Sequence, residues 1–141
     1  MILTDIKNAI IKNLHNAFSG FEIYSSPTEQ GVQAPCFFIT WKETKELQDF
    51  GKFYFRIYTF DIDYFPPLDG SMNDEEISES LFDVLEWIKI DKYPIRCISS
   101  SADAKLIPFT FTVSYKIRVT KKENSQNQII ERLEQNINTK D

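Results

Sequence analysis

The chain holds one histidine, two cysteines and four glycines in 141 residues, and each shortage removes a class of chemistry. With His15 as its single imidazole, a multi-histidine metal centre is excluded. Serines are plentiful, but no GxSxG elbow marks one as a nucleophile. The glycines are scattered, so no glycine-rich loop is present to cradle a phosphate. Cys36 and Cys97 are too few for a disulfide framework and form no CxxC pair for zinc. Both lie in apolar, strand-like runs without a neighbouring histidine, which reads as buried free thiols, not reactive ones. No apolar run approaches the length of a membrane span. The opening MILTDIKNAIIKNL is broken by lysines at helical spacing and is followed by no small-residue cleavage site, so it does not read as a signal peptide. The expectation is a chain folded in a reducing cytoplasm, with no membrane contact and no cofactor.

What is present is ordinary globular composition, 42% hydrophobic and 26% charged, with an excess of aromatics: 12 Phe and 6 Tyr. One domain with one core fits this length. The aromatic excess suits a β-rich chain or an aromatic contact surface. The formal charge of -5 argues against a protein whose affinity comes from neutralising phosphates, so specific nucleic-acid binding is not expected.

Apolar spacing gives the elements. Ile6, Ile10, Leu14 and Ala17 or Phe18 form one face of a helix capped by Thr4 and Asp5 and ended by Ser19-Gly20. FEIYSS (21–26) reads as a short strand and PTEQGVQAP (27–35) as a loop, with Glu29, Gln30 and Gly31 as a structural turn in which glycine takes positive φ. CFFITW (36–41) is apolar on both sides, as a central strand or one facing a partner would be. KETKELQDFG (42–51) is charged and weakly patterned, either a strand extension or a long hairpin loop. KFYFRIYTFDIDYF (52–65) is a long strand stopped by Pro66-Pro67. Asn73 or Asp74 precedes a helix over 75–89 with the stripe Ile77, Leu81, Val84 or Leu85, and Ile88. IRCISS (95–100) and LIPFTFTVSYKIRVT (106–120) form a closing hairpin, the second strand alternating from Phe109 to Val119. The order α-β-β-β-α-β-β predicts an α+β fold, a mostly antiparallel sheet with two main helices on one face. The domain is expected over 1–120. A polar tail follows over 121–141, where Ile129, Ile130, Leu133 and Ile137 give a thin helical stripe, enough for a short helix.

The stretch FDIDYFPPLDG tests the reading as an enzyme. Asp61 and Asp63 alternate on a strand and so share a face. A hard cation wants more oxygen ligands than two carboxylates supply. The pattern favours Thr59, Asp61 and Asp63 as the wet face and Tyr58, Phe60, Ile62 and Tyr64 as the packed face. No catalytic residue and no metal ligand is therefore assigned. A cryptic enzyme site around Asp61, Asp63 and His15 is the rival reading. The same strand carries Phe53, Phe55 and Ile57 on the face of those aspartates. Either the two helices and the tail cover both sides of the sheet, or a second chain covers one of them. Phe53, Phe55, Tyr58, Phe37 and Trp41 are the candidate subunit-interface residues.

The amphipathic first helix, Tyr24, the Glu29-Gln30-Gly31 turn, Pro35-Cys36-Phe37-Phe38, the Tyr64-Phe65-Pro66 strand end and YKIRV (115–119) together resemble the small tail terminator proteins of phages and phage-like elements of Gram-positive bacteria. The resemblance extends to about residue 122. It implies a structural, non-enzymatic subunit that closes the tail tube as a ring, commonly a hexamer, and offers a surface to the head or neck. The implied partners are further copies of the chain, the tail tube protein, and sheath and neck or head-completion proteins. The implied location is the tail end of a virion, or of a headless tail-like bacteriocin, assembled in the host cytoplasm, with DNA passing through the ring where a head exists. Another neck or tail-completion protein is the nearest alternative.

Overall fold

The structure is a computed structural model that describes residues 2–25, 32–105, 107–123 and 129–134. The Glu29-Gln30-Gly31 turn lies outside them. Helix α1 (Ile2–Ala17) buries Ile6, Ala9, Ile10 and Leu14, the expected stripe. Strand β1 (Glu22–Tyr24) follows, then β2 (Cys36–Phe50) and β3 (Phe53–Phe65), the two arms of one long hairpin. Helix α2 (Asp74–Val84) is capped by Asn73, whose side-chain oxygen accepts from the backbone N–H groups of Glu75 and Glu76 at 2.9 and 3.2 Å. Strands β4 (Trp87–Ile90), β5 (Tyr93–Asp103), β6 (Phe109–Glu123) and β7 (Ile129–Glu134) complete the order α-β-β-β-α-β-β-β-β.

The sheet runs β1-β2-β3-β6-β5-β4, with β7 also beside β6. β1 and β2 are parallel; every other pair is antiparallel. β6 gives its whole length to β3 on one side. On its other side it pairs first with β5, through Thr110 to Tyr115, and then with β7, through Arg118 to Glu123. Both helices pack on one face. There the even positions of β3 meet the odd positions of β6, with Tyr58 opposite Tyr115, Phe60 opposite Val113, Ile62 opposite Phe111 and Tyr64 opposite Phe109. These eight side chains join the α1 stripe, Leu81 and Leu85 in a single core. The expected α+β class, with its two helices on one sheet face, is the observed one.

Two elements differ from the sequence reading, and one that it left open is decided. The second helix stops at Val84, and Trp87–Ile90 is a strand. Ile88 satisfies both a helical stripe and a strand alternation, so periodicity alone does not separate them. The hairpin Ile90↔Tyr93 decides it, closing on two residues with Asp91 at φ 57. The charged stretch after Trp41 is strand extension, since β2 continues to Phe50. Residues 129–134 form a strand in the chain's own sheet where the spacing suggests a short helix, and β6 itself runs past 120 to Glu123.

Asn13, on the polar side of α1, ties the α2–β4 junction. Its Nδ2 donates to the carbonyls of Val84 and Trp87 at 3.0 and 2.8 Å. Those carbonyls belong to the end of a helix and the start of an edge strand, which otherwise need another donor. Asn13→Leu should cost about 1–2 kcal/mol in urea unfolding, and a change below about 0.3 kcal/mol would show that water replaces the amide without loss.

Candidate assembly surface

The face of the sheet opposite the helices divides into two halves. In the half nearest the helix-covered core, β3 and β6 exchange side-chain hydrogen bonds rung by rung. Thr110 Oγ1 donates to Asp63 Oδ1 and Thr112 Oγ1 to Asp61 Oδ1, both at 2.7 Å, and the hydroxyls of Thr59 and Ser114 lie 2.7 Å apart. Each pair sits directly opposite in register, at the separation where cross-strand partners meet. The two aspartates thus satisfy threonine hydroxyls on a half-exposed face. Among the described residues no three His, Cys, Asp or Glu side chains group as a metal site would. His15 is exposed on α1, on the helical side, so the sheet stands between it and Asp61 and Asp63. Asp61→Ala should remove one rung at a cost of about 0.5–1.5 kcal/mol and leave the metal content of purified protein unchanged. Stoichiometric metal lost with the carboxylate would contradict this.

In the other half the aromatics of β3 carry cations. Lys116 Nζ lies 4.3 Å from the ring centre of Phe55, and the Arg118 guanidinium carbon 4.4 Å from that of Phe53. Both are diagonal neighbours, since Phe55 is opposite Arg118 and Phe53 opposite Thr120. Phe53, Phe55 and Ile57 are half-buried, covered in part by long cationic side chains from the chain itself. On the reverse of the same strands, Glu46 bridges Arg56 Nε at 2.8 Å and Lys121 Nζ at 2.7 Å, joining β2, β3 and β6. The hydrogen bonds from Lys121 and Arg56 hold the Glu46 carboxyl below its usual pKa. A depressed carboxylate stabilises the fold above its unfolded pKa and loses that contribution as pH falls through the folded value. The bridge should therefore hold through the ordinary carboxylate range and open only at more acid pH. Glu46→Gln should reproduce the loosened arm at neutral pH, read as faster amide exchange over 42–57. Unchanged exchange there would assign the bridge no structural weight.

Beyond this bridge the β2–β3 hairpin runs on to its turn as an arm of the sheet, with β6 still paired to β3 as far as Thr120 opposite Phe53. β1 pairs with β2 only through Cys36, Phe37 and Phe38, and every residue of β2 from Thr40 to Phe50 except Thr44 is exposed. Register shifts near Trp41 and Gln48, and the charges of Lys42 and Lys45, blunt this edge against strand addition. The apolar surface of the arm belongs to Trp41 (50% exposed), Leu47 (45%) and Phe50 (75%).

The five candidate interface residues thus separate. Phe37 and Tyr58 are inside the chain's own core, at 0% and 3% exposure, and are not surface. Phe53 and Phe55 are half-buried on the outer face, and Trp41 is exposed at the root of the arm with its Nε1 donating to Thr44 Oγ1 at 2.8 Å. Leu47 and Phe50 were not singled out by the sequence, because they sit in a charged stretch with no period.

Neither cysteine is an activated thiol. Both are free; burial, with Glu22 adding to it, pushes the Cys36 thiol up to about 11, and burial raises that of Cys97. A thiol so raised stays protonated at neutral pH and is a poor nucleophile. Burial likewise pushes the Tyr115 phenol far up, and its hydroxyl donates to the Leu85 carbonyl at 2.6 Å as a structural bond. No described helix is long and apolar enough to cross a membrane.

These features define a small α+β subunit whose polar groups mostly serve packing and cross-strand bonding, and whose exposed apolar side chains include Trp41, Leu47 and Phe50 on the arm and Leu68, Trp87 and Ile98 elsewhere. The chain belongs to the phage tail terminator family: the family model described as phage tail terminator protein matches residues 5–136. It is a structural protein of a phage tail, associated with the virion and with other tail components. A comparison with curated proteins finds no match.

Proposed function

We propose that the chain assembles as a ring, of six copies, on the end of the tail tube, stops tube growth, and presents the opposite surface of the ring to the head or neck. The observation that carries this reading is the arm. It places Trp41, Leu47 and Phe50 in solvent beyond the core, an arrangement suited to contacts with another chain. Where such a surface meets a different surface of the next copy the contact is head-to-tail, and it closes into a ring when the rotation allows. The net charge of -5 is compatible with a channel that passes DNA without holding it. In a headless, bacteriocin-like particle the same ring would cap the tube alone.

The test is tube growth in the purified system. Added to polymerising tube protein, the chain should arrest elongation and appear as a sixfold density at one tube end. Arrest without the chain, and binding of the chain only to tubes already capped, would favour a neck protein instead.

A further inference from the structure

Both helices pack on one face of the sheet, and at the arm end the register lays out the other face in rows. Lys45, Ile57 and Lys116 lie opposite one another across β2, β3 and β6, and Leu47, Phe55 and Arg118 form the next row. Directly opposite residues share a face. Phe50 and Phe53 close the patch at the turn. The patch is therefore apolar along its middle and cationic at its flanks. The row before it holds Glu43 opposite Thr59, which leaves the cations in excess. Asp49 and Lys52 cancel at the turn, and β7 adds one charge of each sign, with Arg132 opposite Thr120 and Glu134 opposite Arg118.

The helical side of the subunit carries the opposite sign. Helix α2 holds acids and no basic residue, and Glu75, Glu79 and Asp83 are all exposed. They recur every four residues and so form one ridge, which the buried Leu81 places on the side away from the core. Like charges at this spacing repel, so the ridge gains from cations brought to it. Among the described residues no ion pair reaches any of the three.

The two surfaces match in extent. The ridge runs about 12 Å, at about 1.5 Å per residue. The backbone positions of Lys45, Lys116 and Arg118 fall within about 12 Å of one another, from strands about 4.8 Å apart and a rise of about 3.3 Å per residue. They also lie on opposite sides of the subunit, so one chain cannot join its own pair. Two outer faces brought together would oppose cation to cation, and two ridges acid to acid, so a two-fold contact is disfavoured at either; outer face against ridge is complementary. We propose that the outer face of the arm in one copy seats the α2 ridge of the next, the Glu75, Glu79 and Asp83 carboxylates meeting Lys45, Lys116 and Arg118, and that this head-to-tail contact repeats around the ring. The inference rests on the ring reading above and names its contact.

The experiment uses two variants of the full chain. One, Lys45→Glu with Lys116→Glu, reverses the outer face; the other, Glu79→Lys with Asp83→Lys, reverses the ridge. Either alone sets like charges together at every contact and should occupy tail ends at least about tenfold less than the unmodified chain. Mixed in equal amounts, the two can alternate around the ring, each contact again joins opposite charges, and capping should return. Near-normal melting temperatures are expected, since Lys45, Glu79 and Asp83 are exposed; where the first variant does not fold, Lys45→Glu alone takes its place. Normal capping by either folded variant, or a mixture no better than its components, would overturn the proposal. If the unmodified chain arrests no tubes, the same mixture is read by sedimentation in concentrated solution at low salt. Association beyond that of either variant then leaves the contact standing while the ring-capping role falls, and its absence overturns the contact too.

Discussion

Phe55→Glu should yield a folded protein that no longer ends tails, and Tyr58→Glu should yield no folded protein at all. The two residues are three apart on β3 and face opposite sides of the sheet. Tyr58 is 3% exposed and packs opposite Tyr115 within the core. A carboxylate there would be buried without a partner, at a cost of several kcal/mol, comparable to the whole stability of a domain this size. Phe55 is half-buried under Lys116. A glutamate at that position meets Lys116 and Arg118 on a wet face, so the loss in stability should stay near 1–2 kcal/mol. The outer face near the arm would however lose an aromatic ring and gain a carboxylate between two cations. Circular dichroism and tail assembly with each variant separate the two outcomes. Normal tails from folded Phe55→Glu protein would remove this part of the sheet from the contact.

Phe37→Ala should cost about 3–5 kcal/mol through the core, and its assembly defect should disappear once the surviving folded fraction is compared with wild type. Phe37 is fully buried. Its ring centre lies 5.1 Å from that of Phe18, 5.3 Å from that of Phe21 and 5.5 Å from that of Tyr64, and Phe109 packs tilted further along at 5.0 Å from Tyr64. This cluster pins the end of α1 and β1 to the central strands, so the cavity left by alanine cannot close without moving several elements. Trp41→Ala, four residues on, should change stability by less than about 1 kcal/mol, since Trp41 is half exposed and gives up one side-chain hydrogen bond. Denaturant unfolding of the pair measures the difference directly. Similar losses from both would mean that the root of the arm is packed more tightly than its exposure indicates.

The contrast between Phe37 and Trp41 shows where sequence stops informing. In CFFITW the two are four residues apart and share a face of the strand, and nothing local tells that the core covers that face as far as Ile39 and stops before Trp41. The helix stripe of α1 and the alternation of β6 were legible, because one face of each is buried along most of its length and the period repeats. The face of Asp61 and Asp63 was legible for the same reason: β3 alternates strictly from Tyr58 to Phe65. Their threonine partners were not, since they depend on the register of β3 against β6, some 50 residues away in the chain. The cations over Phe53 and Phe55 were hidden for that reason too. The arm was obscure on different grounds. A strand exposed on both sides carries no hydrophobic period, so 42–50 reads as loop as easily as strand, and Leu47 and Phe50 pass unnoticed. β7 carries its apolar residues at spacings a short helix could also use, and the free edge of β6 settles the matter.

The central claim concerns tail ends, and tail length measures it most directly. Particles produced without this chain should carry tubes that run well past normal length, with a broad distribution and no ring at the end in electron micrographs. Supplying the chain in trans should restore one length and the ring together. Tails of normal, uniform length in the absence of the chain would show that another component ends the tube, and that this subunit acts elsewhere in the tail.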